Sequence, residues 1–258
     1  VNDGKGFEAS QGVYFDYYAN GNFCLEAHLD DITYHVTSDS IEPAEGDCGA
    51  VTFVANLSSI YGSEDRTDFR ATSMVQTSDG GYAITGYYIY PGSEYPTGSM
   101  YIAKFDKAGN YLWGKGWGNM SHADRYGEYG DRGNAIVQAN DGGYVITGQT
   151  ASYSTNGDND MFIAKFDSNG SFSWNKTLGI EANDDSGSSL AKTSDGGYVV
   201  TGNTCPALED CTLFLAKYDS AGSLLWSKSG GGSSIVQTSD GGYVAISGVY
   251  IKKYNSSG

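Results

Sequence analysis

AIVQANDGGYVITG at residues 135–148, followed by FIAKFDSNGSFSW at residues 162–174, is the stretch on which the fold turns. In its first half Val, Ile and Tyr flank an Asp-Gly-Gly centre; in its second, apolar residues flank Ser-Asn-Gly. Both have the composition of a β-hairpin, with β-branched and aromatic arms and glycine where a short reversal needs positive φ. The first half recurs as SMVQTSDGGYAITG at 73–86, SLAKTSDGGYVVTG at 189–202 and SIVQTSDGGYVAISG at 234–248. The second recurs as YIAKFDKAGNYLW at 101–113, FLAKYDSAGSLLW at 214–226 and the shorter VYIKKYNSSG at 249–258. The turn aspartates Asp79, Asp141, Asp195 and Asp240 are spaced by 62, 54 and 45 residues, so the hairpins are constant and the connections vary.

Two hairpins make a four-stranded unit, a-b-c-d, which cannot bury its own faces and must stack on others like it. The predicted fold is therefore all-β and β-propeller-like, with four regular four-stranded blades, the last lacking its outer strand, and with the N-terminal region open to reading as a fifth, degenerate blade. An open stack of capped sheets is the alternative. The pattern DGGY-[IV]-x-[TS]-G followed by [IL]-[AK]-K-[FY]-[DN]-x-x-G-x-x-x-W resembles the repeat of bacterial and archaeal cell-surface β-propeller proteins, over about residues 70–258. That resemblance implies a fold and a surface location, not an activity, because the repeated residues are turn formers and strand core.

In such a unit the a-b and c-d turns share one end of the sheet, and the b-c and d-a connections the other. The first pair is tight throughout. The long, varied connections are expected at Tyr87–Met100, Gln149–Asp160 and Asn203–Thr212, and at Gly114–Gly133, Asn175–Ser188 and Ser227–Ser233, so recognition is expected on that end. Its non-repeating aromatics, Tyr87, Tyr88, Tyr90, Tyr95, Trp117, Tyr126, Tyr129 and Tyr153, are read as loop residues that contact a glycan or a protein partner. Trp113, Trp174 and Trp226, which repeat, are read as packing between blades.

The chain divides on this reading into residues 1–50, a β extension or donor strand, and the repeat domain 51–258. The last repeat supplies strands a, b and c as far as Gly258, and an open edge invites a strand. Val51–Gly62 aligns with the d strand at Ser171–Gly179 and would close the ring in cis. Val13–His28 resembles a c-d hairpin around Ala19-Asn20-Gly21; with Ile32–Val36 and Val51–Leu57 it would form the extra blade, a satellite hairpin, or an extension that adds a strand to a neighbouring molecule.

Of 258 residues, 39% are hydrophobic, enough for a packed core, and the net charge of −16 argues against nucleic acid or anionic membranes as partners. No apolar run approaches the roughly 20 residues of a membrane helix, and a start at Val1 reads as a product processed from a secretory precursor. Cys205 and Cys211 bracket a short loop, leaving Cys24 to pair with Cys48; two disulfides imply an oxidising compartment. Acceptor sequons at Asn56, Asn119, Asn169, Asn175 and Asn255 agree with an exported glycoprotein.

Chemical motifs are scarce. There is no nucleophile elbow, zinc-protease helix or phosphate loop, so no catalytic residue is assigned and an enzyme is not expected. His28 and His35, read along one continuous strand, would face opposite ways, which is wrong for a shared metal; His122 stands apart. No cofactor is expected, although Asp158 and Asp160, or Glu181, Asp184 and Asp185, are oxygen ligands of the kind calcium takes. The predicted function is an extracellular structural or adhesive protein of the cell surface, self-associating into an oligomer or filament. The alternatives are a monomeric carbohydrate-binding propeller and a polysaccharide lyase or hydrolase.

Overall fold

In the computed structural model each Asp-Gly-Gly segment closes a tight turn in the same way. Gly80, Gly142, Gly196 and Gly241 take φ of 80–83°, which a side chain would strain. The amide two residues past each aspartate donates to its Oδ1, at 2.9 Å for Gly81 to Asp79 and 3.0 Å for Gly197 to Asp195. The c-d turns at the same end of the sheets are held similarly, with Asp106, Asp167 and Asp219 each accepting from backbone N–H groups two and four residues ahead.

The structure describes residues 15–19, 23–29, 32–37, 40–43, 68–89, 98–118, 130–154, 158–179, 183–206 and 210–258. The chain divides into two units, Val1–Val54 and Ala55–Gly258. In the first, β1 (Phe15–Ala19), β2 (Phe23–Leu29), β3 (Ile32–Thr37) and β4 (Ser40–Pro43) form an antiparallel meander. Two expectations change here. The fourth strand of this sheet is β4, whereas Val51–Leu57 and the rest of Val51–Gly62 lie outside the described residues. His28 and His35 are not on one strand: a reversal after Leu29 puts them on paired strands, with His28 opposite Thr33 and His35 opposite Glu26, so they occupy the same face two positions apart.

The second unit holds four sheets in succession. Sheet 1 is β5 (Asp68–Gln76), β6 (Tyr82–Ile89), β7 (Gly98–Phe105) and β8 (Tyr111–Trp117); sheet 2 is β9 (Asp131–Gln138), β10 (Tyr144–Thr150), β11 (Asp160–Phe166) and β12 (Phe172–Leu178). Sheet 3 is β13 (Asn183–Lys192), β14 (Tyr198–Pro206), β15 (Thr212–Tyr218) and β16 (Leu224–Ser229); sheet 4 has three strands, β17 (Ser234–Gln237), β18 (Tyr243–Ser247) and β19 (Tyr250–Tyr254). All are antiparallel meanders. Their first strands touch in sequence, β5 on β9, β9 on β13 and β13 on β17, giving a propeller-like arrangement.

The core lies between the sheets. Ala83, Met100 and Ile102 of sheet 1 meet Ile136, Tyr144, Ile146 and Phe162 of sheet 2; Val145, Met161 and Ile163 meet Leu190, Tyr198 and Val200; Val199 and Leu215 meet Ile235, Tyr243 and Ala245. The repeated tryptophans pack between sheets as expected. Trp113, Trp174 and Trp226 each cover the turn glycine of the next sheet, Gly170, Gly222 and Gly258, where an added Cβ would lie within 2.5–2.8 Å of the indole.

A second inter-sheet contact sets the spacing nearer the first strands. The buried hydroxyls of Thr85, Thr147 and Thr201 donate to the carbonyls of Tyr101, Phe162 and Phe214 within their own sheets. Their side chains press on Gly133, Gly187 and Gly231 of the following sheet, so closely that no Cβ fits. Gly187→Ala is expected to destabilise the protein by about 1–3 kcal/mol through overpacking. Adding Thr147→Ala should recover part of that loss in a denaturant titration, whereas simply additive effects would show that the two sites do not press on each other.

Candidate functional site

The end of the sheets opposite the Asp-Gly-Gly turns carries the chemistry outside the repeat. Asp131 opens β9 and is fully buried, accepting from Thr150 Oγ1 at 2.6 Å, from the Ser152 hydroxyl, and from Ser152 N at 3.4 Å. Buried polar groups of this kind need such partners, and satisfying this one fixes the 151–154 segment and therefore Tyr153. The Tyr153 ring stacks on Trp117 with centroids 4.7 Å apart, and Trp117 is near-parallel to Phe172 at 6.1 Å. Tyr153 is 46% and Phe172 50% exposed, so the trio forms an accessible aromatic ledge along sheets 1 and 2. Partial burial, reinforced by the Asp131 charge, raises the Tyr153 pKa, which keeps the phenol protonated.

The expected loop aromatics are distributed differently from the sequence reading. Tyr87 and Tyr88 lie within β6 and Trp117 ends β8, because these strands run past the repeated motif. Tyr87 sits under the Arg132 guanidinium, 4.8 Å from the ring centroid, and Tyr88 packs on Phe69 at 5.4 Å. Tyr153 is in a loop, as expected, while Tyr90, Tyr95, Tyr126 and Tyr129 lie outside the described residues, as does His122. Thus Trp117 and Tyr153 come together, while Tyr87 and Tyr88 belong to sheet 1 and its junction with β9.

Next to the ledge, the acidic segments that were far apart in sequence converge at the junction of sheets 2 and 3. Asn159 N donates to Asp184 Oδ1 at 3.0 Å, and Asp185 N donates to Asn159 O at 2.6 Å. Asp158 and Asp185 are buried, the Ser154 hydroxyl donating to Asp158. Burial first, then the charges of Asp158 and Asp185, push the pKa of Asp160 up to about 6. A carboxyl in this state holds its proton close to neutral pH, a property useful to a proton donor and also to a purely structural acid. A groove of about 280 Å³ opens beside it, lined in part by Asp185, Thr204 and Lys228. Among the described residues no three His, Cys, Asp or Glu side chains gather as a metal would require. Glu181 is outside the described residues.

Cys205 and Cys211 are bonded, with Cα atoms 4.1 Å apart, stapling the start of the connection after β14. The Cys24–Cys48 pairing lies outside the described residues. Asn169 is exposed on the turn before β12, Asn255 on the turn after β19, and Asn175 is half-buried on the outer strand β12. Their sequon hydroxyls Ser171, Ser257 and Thr177 are all exposed. Asn56 and Asn119 lie outside the described residues. No helix among the described residues is long and apolar enough to cross a membrane.

Sequence reasoning missed Asp131, although Asp185 stands at the equivalent position of the next sheet, each two residues before a glycine that meets a threonine of the preceding sheet, and it treated the two acidic segments as separate loops. No family model matches the chain, and no curated protein does. Among solved structures, the chain is similar to a protein of unknown function from Dyadobacter fermentans, at 14% identity with a TM-score of 0.50, covering 90% of this chain and 73% of that one. That likeness is one of fold alone. A second, described as a eukaryotic initiation factor, reaches a TM-score of 0.35 at 13% identity, and the alignment spans 87% of this chain and less than half of that one, 44%.

The raised pKa of Asp160 makes a signed prediction. Its folded-state value lies above the unfolded one, so Asp160 favours folding most below about pH 4 and progressively less as pH rises through 6. Asp160→Asn is expected to stabilise the protein at pH 7.5 by on the order of 1 kcal/mol, discounted for partial exposure, and to make no difference at pH 4. Thermal unfolding at the two pH values checks this.

Proposed function

We propose that this protein is an extracellular, glycosylated structural or adhesive element of the cell surface, a subunit that self-assembles into filaments by strand addition between copies. The reading is carried by the edge of sheet 4: among the described residues β19 pairs with β18 alone, and Val249, just before β19, and Tyr250 and Ile251 within it are 91%, 67% and 77% exposed. An apolar edge of this kind templates pairing with another chain unless it is covered, and main-chain hydrogen bonds to an added strand supply a specific seal. The outer edge of sheet 2, by contrast, bears the Asn175 sequon on β12, where a glycan would block pairing. The disulfide between Cys205 and Cys211 supports an oxidising environment.

The assembly reading expects full-length protein at micromolar concentration to sediment as large particles and to show fibres by negative stain. Deleting residues 1–50 should leave monomers, because the donor strand is assigned to that region. A monodisperse full-length monomer would end this reading. Peptide mass spectrometry of native material should find glycans on Asn169 and Asn255, the two exposed sequon asparagines.

The ledge formed by Tyr153, Trp117 and Phe172 favours a second reading, a carbohydrate-binding propeller, since flat exposed aromatic rings stack on the apolar faces of sugars. It expects a monomer that binds an oligosaccharide, with affinity lowered at least tenfold by Trp117→Ala or Tyr153→Ala while the melting temperature of the Tyr153 variant is unchanged.

A further inference from the structure

Across sheet 3 the strand register sets a row of polar side chains on the face that packs toward sheet 2. Asp185 pairs with Thr204 and Thr204 with Thr212, while Phe214, two residues further along β15, pairs with Ser229. Residues directly opposite on antiparallel strands share a face, as do residues two apart on one strand. Phe214 packs with Val145, Met161 and Ile163 of sheet 2, which identifies that face. One carboxylate, three hydroxyls and an aromatic ring therefore line one side of the groove of about 280 Å³, with Leu178 of sheet 2 on the other. Asp185 and Thr204 lie deep in it, whereas Thr212 and Ser229 are exposed at its rim.

Sheet 2 carries the corresponding row beneath aromatic rings. Asp131 pairs with Thr150, Thr150 with Asp160, and Phe162 with Thr177, so these residues stand where Asp185, Thr204, Thr212, Phe214 and Ser229 stand in sheet 3. There the Trp117 indole of sheet 1 lies 5.0 Å from the Phe162 ring and Tyr153 stacks on the indole, and both Asp131 and Thr150 are fully buried. At the junction of sheets 2 and 3 the counterpart of Trp117 is Leu178, since Trp117 pairs with Met100 and Leu178 with Met161. A leucine fills less of the space above the phenyl ring than an indole does, and the groove is what it leaves open.

What fills the equivalent place in the fold is a pair of stacked rings, so the shape left open suits a ring, and its lining decides which kind. A pyranose offers an apolar C–H face to an aromatic side chain and a girdle of hydroxyls that exchange hydrogen bonds with Ser and Thr and donate to a carboxylate. A purely apolar compound would dry the rim hydroxyls without replacing their bonds to water. A sugar acid would meet Asp185 together with Asp158, Asp160 and Asp184, which converge at the same junction. The volume is near the lower end of ligand pockets, about 300 Å³, and suits a single ring. The Cys205–Cys211 bond joins the residues next to Thr204 and Thr212, so both hydroxyls are held in place before a ligand arrives.

We propose that the groove between sheets 2 and 3 binds one uncharged pyranose ring of a glycan, with its carbon face toward Phe214 and its hydroxyls toward Asp185, Thr204, Thr212 and Ser229. This inference rests on the carbohydrate-binding reading above and adds to it a site separate from the ledge, on residues that the ledge does not use.

The test titrates the full 15N-labelled chain with mannotetraose, cellotetraose and tetra-N-acetylchitotetraose in turn, and with tetragalacturonate as the acidic counterpart, following backbone amides and indole N–H groups by NMR. A neutral oligosaccharide should shift the amides of Thr204, Thr212, Phe214 and Ser229, and tetragalacturonate should leave them in place. Thr212→Val and Ser229→Ala, both at exposed positions, should each weaken binding about fivefold with an unchanged melting temperature. Leu178→Trp, which sets over Phe214 the indole that Trp117 sets over Phe162, should abolish the shifts. Undiminished binding by these variants, or a preference for tetragalacturonate, would overturn the proposal. Shifts confined to the Trp117 indole and Tyr153 would place the sugar on the ledge and overturn this site alone, whereas no shift with any neutral sugar would overturn the site and the carbohydrate-binding reading together.

Discussion

The close approach of a threonine side chain to a glycine of the following sheet is the contact on which the architecture depends. A four-stranded sheet with two apolar faces has no interior of its own, so each one is stable only as far as its neighbours cover it. Thr85, Thr147 and Thr201 fix how near the cover can come, and Gly133, Gly187 and Gly231 permit that distance by having no Cβ. Further out, the same complementarity recurs on a larger scale, with an indole lying over a turn glycine. Small residues on one sheet and large ones on the other hold the sheets in one relative orientation at both points. Interdigitation of this kind is what gives native packing density.

Within each sheet the corresponding constraint is ionic. Lys104 and Lys217, almost wholly buried, each donate to a threonine hydroxyl, to the turn aspartate and to the carbonyl of the next residue, which satisfies all three ammonium protons. A buried charge is tolerable only when paired and hydrogen-bonded in this way. The arrangement ties the a-b turn to strand c, which is why the aspartate and the lysine recur together. Bonds from Thr77, Gly81 and Lys104 hold the Asp79 carboxyl near pKa 2, and a similar set does so for Asp195. Both contributions are therefore complete above about pH 4 and fade as pH falls towards 2. In sheet 2 Ala139 replaces the threonine, and Lys165 bonds Asp141; in sheet 4 the Lys253 side chain, also bonded to its turn aspartate, is 57% exposed.

The turns and the sheets of the repeat were legible because Asp-Gly-Gly and Asp-x-x-Gly impose backbone geometry locally, whatever surrounds them. What happens beyond the repeated residues was not. β6 continues through Tyr87 and Tyr88, and β8 through Trp117, since strand pairing propagates as long as a partner strand is there, and nothing in composition marks where it stops. The convergence of Asp158, Asp160, Asp184 and Asp185 is set by the stacking of two sheets, and Asp131 earns its role from hydroxyls about twenty residues away. The lysine of strand c was visible in all four repeats yet read as part of the strand pattern, because a charged residue with a long apolar stem is hard to distinguish from a surface one until its partners are seen.

The assembly proposed above would bring together copies that each carry −16, so it would work against its own field, and this limits what could hold copies together. At physiological ionic strength charges are screened beyond about 8 Å, so the general repulsion is muted while contacts at van der Waals distance are not. Affinity in such an assembly would therefore come from apolar surface, at about 25 cal/mol per Å² removed from water, and from main-chain pairing at a strand edge. On sheet 4 an exposed apolar surface and a strand edge lie side by side: Ile251 is in β19 and Val249 immediately precedes it, and both are exposed. A single incoming element that supplies both a strand and a sheet face would bury them together, which neither an isolated peptide strand nor a flat apolar surface can do.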